Sequence, residues 1–352
     1  MRAFTLLFLL AAACSGPVEP TDPSYLEPVP PGQGFQFVTR ETEVAAGTEQ
    51  QDCYFFKAGE LATANGLANE PLNLHRVQIA QRDGSHHMNI FRVRTLLGLD
   101  PANGVFQPGA NGVGPCFNSA NWADWPLLAN TQQDGTIDWE YPEGVANVVQ
   151  PDEWMMLQTH FVNGSTQKTP HNYGKVSVNF WLIPKEQVKY ELGTVFATKQ
   201  SVRVCTKNPQ PTFTGVCQFN SPNPVRIIGA NGHFHSRGQE FRMYAWDGQS
   251  VQRPEETERF YTSKTWDDPP MERSPGLDLQ VQAGGGVWYT CAYEWTPPPT
   301  GCEALNAFDK KKYGTQESQL DCCYTFGPQV DQNEHCNAFI YYYPKQDDVN
   351  CF

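Results

Sequence analysis

The stretch Lys175-Val176-Ser177-Val178-Asn179-Phe180-Trp181 alternates side chains with a period of two. A strand with one buried face writes that pattern, because successive Cβ atoms leave opposite faces. Upstream, Phe35-Gln36-Phe37-Val38, Arg76-Val77-Gln78-Ile79 and Met155–Phe161 read the same way. Downstream, so do Val225-Arg226-Ile227-Ile228, Phe241–Trp246, Leu277–Val281 and Val287–Thr290. Asp247-Gly248, directly after Trp246, is a hairpin signal. Ala338-Phe339-Ile340-Tyr341-Tyr342-Tyr343, closed by Pro344, is a final strong strand. No sustained 3.6-residue periodicity and no internal repeat accompany these runs. The expected fold is therefore all-β, with two antiparallel β-sandwich (jelly-roll-like) domains over 35–189 and 190–352. Between Gly98 and Gln150 the chain is rich in Gly, Asn, Pro and Trp and weakly patterned. It reads as a long connection that is functional or tied by Cys116.

Composition agrees. The 352 residues suit about two domains, each able to bury a core. Charged residues make up only 18%, aromatics reach 12%, and Gly (29) and Pro (28) are frequent, which favours short strands and ordered loops. The net charge of −13, with no basic stripe, excludes a nucleic-acid partner.

The first 14 residues stand apart. Arg2 precedes the apolar run Phe4–Leu10 and the small residues Ala11-Ala12-Ala13, which together form a signal peptide too short to span a bilayer. Cys14, followed by Ser15-Gly16, has the form of a bacterial lipobox, with Ala11 where that pattern prefers Leu. The expectation is an exported protein acylated on Cys14, touching the membrane only through that terminus. Residues 15–34, with Pro17, Pro20, Pro23, Pro28, Pro30 and Pro31, form an extended tether. Of eleven cysteines, ten remain once Cys14 is set aside; disulfides are the expected use in an exported chain without a C-x-x-C pair.

Histidine is scarce, with eight in the chain, and its placement is uneven. His86-His87 are adjacent, His160 sits on the strand Met155–Phe161, and His233-Phe234-His235 is an i, i+2 pair. An i, i+2 pair on a strand leaves one face and suits chelation of a single ion. Gly232 and Gly238 around it imply a tightly shaped backbone and favour metal over a polar surface pair. Its third ligand is His335 or a methionine. His86 and His87 point to opposite faces of a regular strand. They share an ion only if the strand twists, bulges or ends there, and the use of different ring nitrogens would also help. His160 would complete that site, although a lone strand histidine is more commonly a hydrogen-bonded core residue. His75 and His171 read as surface or structural. Three-histidine sets suit copper and zinc alike.

In combination, these segments resemble the copper type II, ascorbate-dependent monooxygenases, the family of peptidylglycine alpha-hydroxylating monooxygenase and dopamine beta-monooxygenase. The His-His-Met motif of that family's first copper site is matched by His86-His87-Met88, and its Leu-x-x-His-Tyr-type strand by Leu157 to Phe161. The His-x-His-x-x-Gly motif of its second site is matched by His233, His235 and Gly238. Its Glu-Met-Cys segment and Tyr-rich strand are matched by Glu334-His335-Cys336 and Tyr341-Tyr342-Tyr343. The resemblance covers about residues 35–345. It implies two sandwiches carrying one copper each across a solvent-filled cleft, with ascorbate or another reductant as electron donor. It implies electron entry at His86, His87 and His160, and catalysis at His233, His235 and His335. It also implies the disulfides Cys53–Cys116 and Cys291–Cys336, leaving Cys205, Cys217, Cys302, Cys322, Cys323 and Cys351 for three bridges of open connectivity.

The departures narrow the function. His335 stands where the family has a methionine ligand, and imidazole favours Cu(II) more than a thioether does. Met243 and Met271 are the other sulfur candidates. Asn231 replaces the Arg that grips a peptide carboxylate in the family, so a peptidylglycine substrate is not expected. Asn337 and Phe339 match the family's Asn and Tyr near the substrate. The expected function is hydroxylation of a C–H bond of a small molecule, using dioxygen and two copper ions. The alternatives are a copper-binding lipoprotein without enzymatic activity, or a zinc enzyme using His233, His235 and His335.

Overall fold

A computed structural model describes residues 22–82, 85–93, 106–110, 125–132, 136–163, 172–299, 301–313, 321–327 and 330–351. Cys14, Cys116 and His171 lie outside these segments, and with them the lipidation site and the expected Cys53–Cys116 bridge.

The described chain is mostly strand, as the alternation implied. One sheet runs Gly34–Val38, Val176–Leu182, Leu72–Gln81, Val145–Val149 and Tyr190–Glu191, with Thr136–Glu140 also paired to Leu72–Gln81. A second runs Phe106–Ala110, Thr48–Lys57, Trp154–Asn163, Ser85–Val93 and Leu127–Gln132, antiparallel throughout. Phe35, Leu74, Ile79 and Phe180 of the first share one buried cluster with Phe55, Ile90, Leu157 and Phe161 of the second. After Gly193 the sheets are new. Gly193–Thr198, Asn337–Tyr343, Val225–His233 and Glu272–Arg273 form one, with Leu279–Val281 beside Val225–His233. Arg259–Ser263, Gly238–Trp246, Gly286–Tyr293, Thr212–Phe219 and Val349–Cys351 form another, and a second buried cluster joins the two sheets.

Asn337–Tyr343 explains its own near-continuous apolar sequence. Ala338, Ile340 and Tyr342 enter the second cluster, whereas Phe339 and Tyr341 enter the first. A strand covered on both faces carries large side chains at every position instead of alternating with polar ones. The seam thus formed is specific. Tyr341 meets Trp139 edge-on at 5.0 Å, and its hydroxyl donates to Asn130 Oδ1 at 2.6 Å. Trp139 Nε1 donates to Ser274 Oγ at 3.0 Å, and Asn130 Nδ2 reaches Asn231 Oδ1 at 3.4 Å.

Three sequence expectations change. The segment between Gly98 and Gln150 is not a structureless connection: Phe106–Ala110, Leu127–Gln132, Thr136–Glu140 and Val145–Val149 are strands within it. Leu127, Leu128, Ile137, Trp139, Val145 and Val149 lie in a core built by distant residues, so local alternation is weak. Among the described residues there are two α-helices, Ala58–Ala64 and Cys302–Tyr313. The second is anchored by Leu305, by Asp309 paired with Arg203 at 2.6 Å, and by the Cys302–Cys322 bridge, rather than by an apolar stripe. At Asp247-Gly248 the chain does turn, with Asp247 Oδ1 accepting from Gln249 N and Ser250 N at 2.9 and 2.7 Å. Gly248 has φ +80°, and a Cβ there would lie 2.0 Å from the Gly284 carbonyl oxygen. The partner strand Arg259–Ser263 nevertheless starts only after the longer loop 247–258.

The open connectivity resolves as Cys205–Cys323, Cys217–Cys351 and Cys302–Cys322, and Cys291–Cys336 is bonded as the resemblance implied. Four bridges agree with an oxidising compartment. Among the described residues no helix is long and apolar enough to cross a membrane.

Tyr341→Phe leaves the Trp139 contact but strands Asn130 Oδ1 in the seam. It should destabilise the chain by about 1–3 kcal/mol, read from the denaturant midpoint at unchanged slope.

Candidate metal centre

The first triad depends on a register slip. Trp154–Asn163 pairs with Ser85–Val93 so that His160 faces His87 and Phe161 faces Ser85. His86 is therefore the extra residue of a β-bulge, and the bulge swings its ring to the side on which His87 and His160 stand. The ring centroids of His86, His87 and His160 lie 4.9–5.2 Å apart. The buried nitrogens without a protein partner are Nε2 of His86 and Nδ1 of His87 and His160. Adjacent strand residues thus reach one point by using different ring nitrogens.

Glu49, which the sequence reading passed over, sets the orientation of His160. Its Oε2 lies 2.8 Å from His160 Nε2. A carboxylate accepts, so Nε2 carries the proton and Nδ1 presents its lone pair to the cluster. Nothing local marks Glu49 as special, because its partner is 111 positions away. Beside this pair an amide ladder crosses three strands, with Asn89 Nδ2 donating to Gln158 Oε1 at 3.2 Å and Gln158 Nε2 to Gln51 Oε1 at 3.3 Å.

The second triad stands where the strand Val225–His233 ends. His235 lies two residues beyond His233, in the turn closed by Gly238 N donating to His235 O at 2.9 Å. Both flanking glycines are required: a Cβ on Gly232 would lie 2.4 Å from Phe241 Cδ1, and one on Gly238 1.9 Å from Phe234 Cδ2. His335 lies between Asn333–Glu334 and Asn337–Tyr343, next to the Cys291–Cys336 bridge, and its carbonyl accepts from Tyr293 OH. Its ring is 4.2 Å from that of His235 and 5.4 Å from that of His233. Met243 belongs to the second core and Met271 packs against the first, so His335 is the residue that completes the triad.

A buried ion pair holds the two loops together. Glu334 accepts from His235 N, Arg237 N and Arg237 Nε at 2.9, 3.0 and 2.8 Å. Burial pushes its carboxyl above the usual range, while Arg237 and the two amides pull it back. His235 Nδ1 donates to Asn333 O at 2.9 Å, leaving Nε2 as its lone pair. Arg237 is the second residue that sequence reading missed. Only the folded chain shows that this charge is buried against Glu334.

Within each triad the ligand atoms lie within 4.8 Å of one another. That spacing is little more than twice a His–metal bond of about 2.0–2.1 Å. Buried imidazole nitrogens without partners are costly unless something else binds them. Both triads fit a metal that accepts nitrogen donors. A third cluster, Cys205, Asp321 and Cys323, does not, since its cysteines are bonded to each other.

The two triads also share a single cavity of about 40 Å³, lined as well by Gln51, Asn89, Gln158, Phe196, Asn337 and Phe339. His87 and His233 approach to 5.8 Å between ring centroids, and Trp266 covers His86 at 5.8 Å. Among the described residues the triads are brought to this one cavity rather than set across a wide cleft, with the Trp139–Tyr341 seam and the stack of Phe196 on Phe339 at 4.8 Å joining the sheets. Asn337 and Phe339 face this cavity. Asn231 does not: it is fully buried, bound to Asn130 and donating to Pro270 O at 3.0 Å. His75 is structural, with Nδ1 on Val145 O at 2.7 Å.

No family model matches the chain, and no curated protein matches it. Solved structures give only faint likeness. The Macrobrachium rosenbergii nodavirus structure is 8% identical, covers 100% of this chain and 98% of its own, and has a TM-score of 0.19. A putative secreted protein from Parabacteroides distasonis is 8% identical over 88% of this chain and 89% of its own, at 0.20. The receptor-binding spike protein P1 of bacteriophage PM2 is 12% identical over 87% and 96%, at 0.14. Scores this low carry no argument about fold or function.

Glu49→Ala should weaken metal binding at the first triad by about 10–100-fold, and Glu49→Gln far less. Competition titration with a copper chelator reads both sites.

Burial, then the neighbouring His160, holds His86 down to about 3, and burial holds His87, His233 and His235 well below the ordinary histidine range. The unfolded chain takes up protons on these side chains near pH 6.5 while the folded chain does not. The stabilising contribution is therefore complete above about pH 6.5 and lost as pH falls, by about 1.4 kcal/mol per pH unit for each histidine. A melting series on metal-free protein between about pH 7.5 and 4.5 should show this fall, and metal loading should flatten it above the pH at which the metal leaves.

Proposed function

We propose that the chain is an exported copper-dependent monooxygenase that hydroxylates a C–H bond of a small molecule, using dioxygen and a reductant such as ascorbate. The observation that carries this reading is the pair of three-histidine clusters, each with buried nitrogens aimed at a common point. Their motifs and order resemble the copper monooxygenases. His86, His87 and His160 would hold one copper, and His233, His235 and His335 the other. Copper, when bound, supplies one-electron redox chemistry and the capacity to activate dioxygen.

The chain's own residues provide the setting. Glu49 and the Asn333 carbonyl fix the tautomers of His160 and His235. The Glu334–Arg237 pair and the Cys291–Cys336 bridge hold the segments carrying His235 and His335 in register. Phe196 and Phe339 line the cavity with apolar rings, and Trp266 lies beside His86. Asn337 is the polar group beside the second triad that is placed to orient a substrate edge. Acylation of Cys14 would hold the enzyme at a membrane surface, two or more acyl chains being enough for stable anchoring.

The small volume of the cavity, about 40 Å³, favours a second reading, copper sequestration without catalysis. Reductant-dependent oxygen uptake separates the two.

Reconstituted protein should bind two coppers per chain and consume dioxygen with ascorbate. Zinc outcompeting copper at both triads would sink the reading. His335→Ala should remove copper from the second triad alone, and His335→Met should restore binding with a raised potential, read by metal analysis and redox titration.

A further inference from the structure

The closest ring approach between the triads is only slightly longer than the separations within them. Rings of the first triad stand 4.9–5.2 Å apart and rings of the second 4.2–5.4 Å, while His87 and His233, one from each, stand 5.8 Å apart. All six line the same small cavity of about 40 Å³. The arrangement is also braced. Trp266, in the loop after the strand Arg259–Ser263, lies beside His86 of the first triad, and the Tyr341–Asn130–Asn231 chain of hydrogen bonds crosses the seam nearby.

From this we infer that the six histidines form one dinuclear site in which the two coppers are magnetically and electrostatically coupled, rather than two mononuclear sites acting across solvent. The inference rests on the copper reading above. Two dications in one low-dielectric cavity repel each other strongly, so the second Cu(II) binds more weakly than the first unless a small anion bridges them. Cu(I), with half the charge, suffers a quarter of that repulsion.

The test is a Cu(II) titration of the full chain, following bound copper by metal analysis and unpaired spins by EPR. Up to one equivalent, the integrated doublet should equal the bound copper. Beyond it, the integral should stop rising and fall short of the bound copper, with a half-field transition appearing. The second Cu(II) should bind at least about tenfold more weakly than the first, and the gap should narrow for Cu(I). The double variants His86→Ala/His160→Ala and His233→Ala/His335→Ala, checked for native circular dichroism, should each keep one copper with its full doublet. If wild-type protein carrying two coppers gives a spin count equal to both, with a spectrum that is the sum of the two variants, coupling is overturned while the copper reading stands. If fewer than two coppers bind, the copper reading itself fails and the inference goes with it.

Discussion

Imidazole nitrogens buried without a protein partner are the constraint on which this structure turns. A neutral histidine in a dry site gives up hydration at both ring nitrogens, and a fold that leaves one unbound loses stability at each. Here His86, His87, His160 and His233 each present such a nitrogen to the cavity. The surrounding structure prevents their relief by rotation. Glu49 holds the far side of His160, the bulge fixes His86, and Phe241 packs on the Gly232 backbone next to His233. The fold therefore keeps a set of unmet electron pairs in place, which is the condition for tight capture of an ion that takes nitrogen ligands.

That arrangement needs two kinds of support. Hydrogen bonds set the tautomers, since an acceptor on one ring nitrogen determines which nitrogen is left to coordinate. Packing sets the separation. Asn337–Tyr343 is buried on both faces and joins the second core to the first, so the position of the His233 triad relative to the His86 triad is set by the same residues that close the seam. The Glu334–Arg237 pair adds rigidity at the point where His235 and His335 approach each other. Removing either partner would leave a buried charge unmatched, at a cost of about 3–5 kcal/mol.

Much of this was legible in the residues. Alternation marked most of the long strands, and the spacing of His233 and His235 marked a chelating pair. The adjacency of His86 and His87 posed a geometric problem, and the fold resolves it with a bulge and with different ring nitrogens. Other features were not legible. Glu49, Arg237 and Trp266 carry no local signal, because each acquires its role from a partner far along the chain. The helix Cys302–Tyr313 lacks an apolar stripe and is held by a disulfide and an ion pair. The strands between Gly98 and Gln150 lie in sheets whose patterning belongs to their neighbours.

By itself the sequence determined the class of fold, the histidines able to bind metal and the export-type use of cysteine. These follow from side-chain periodicity and residue chemistry, which are local. Only the tertiary structure decided which cysteines pair, that Asn231 is occupied in the seam, and that the two triads line one cavity. Those outcomes depend on how sheets distant in the chain pack. Packing is set by the joint fit of Trp139, Tyr341, Phe196 and Phe339, and no one stretch of sequence contains that fit.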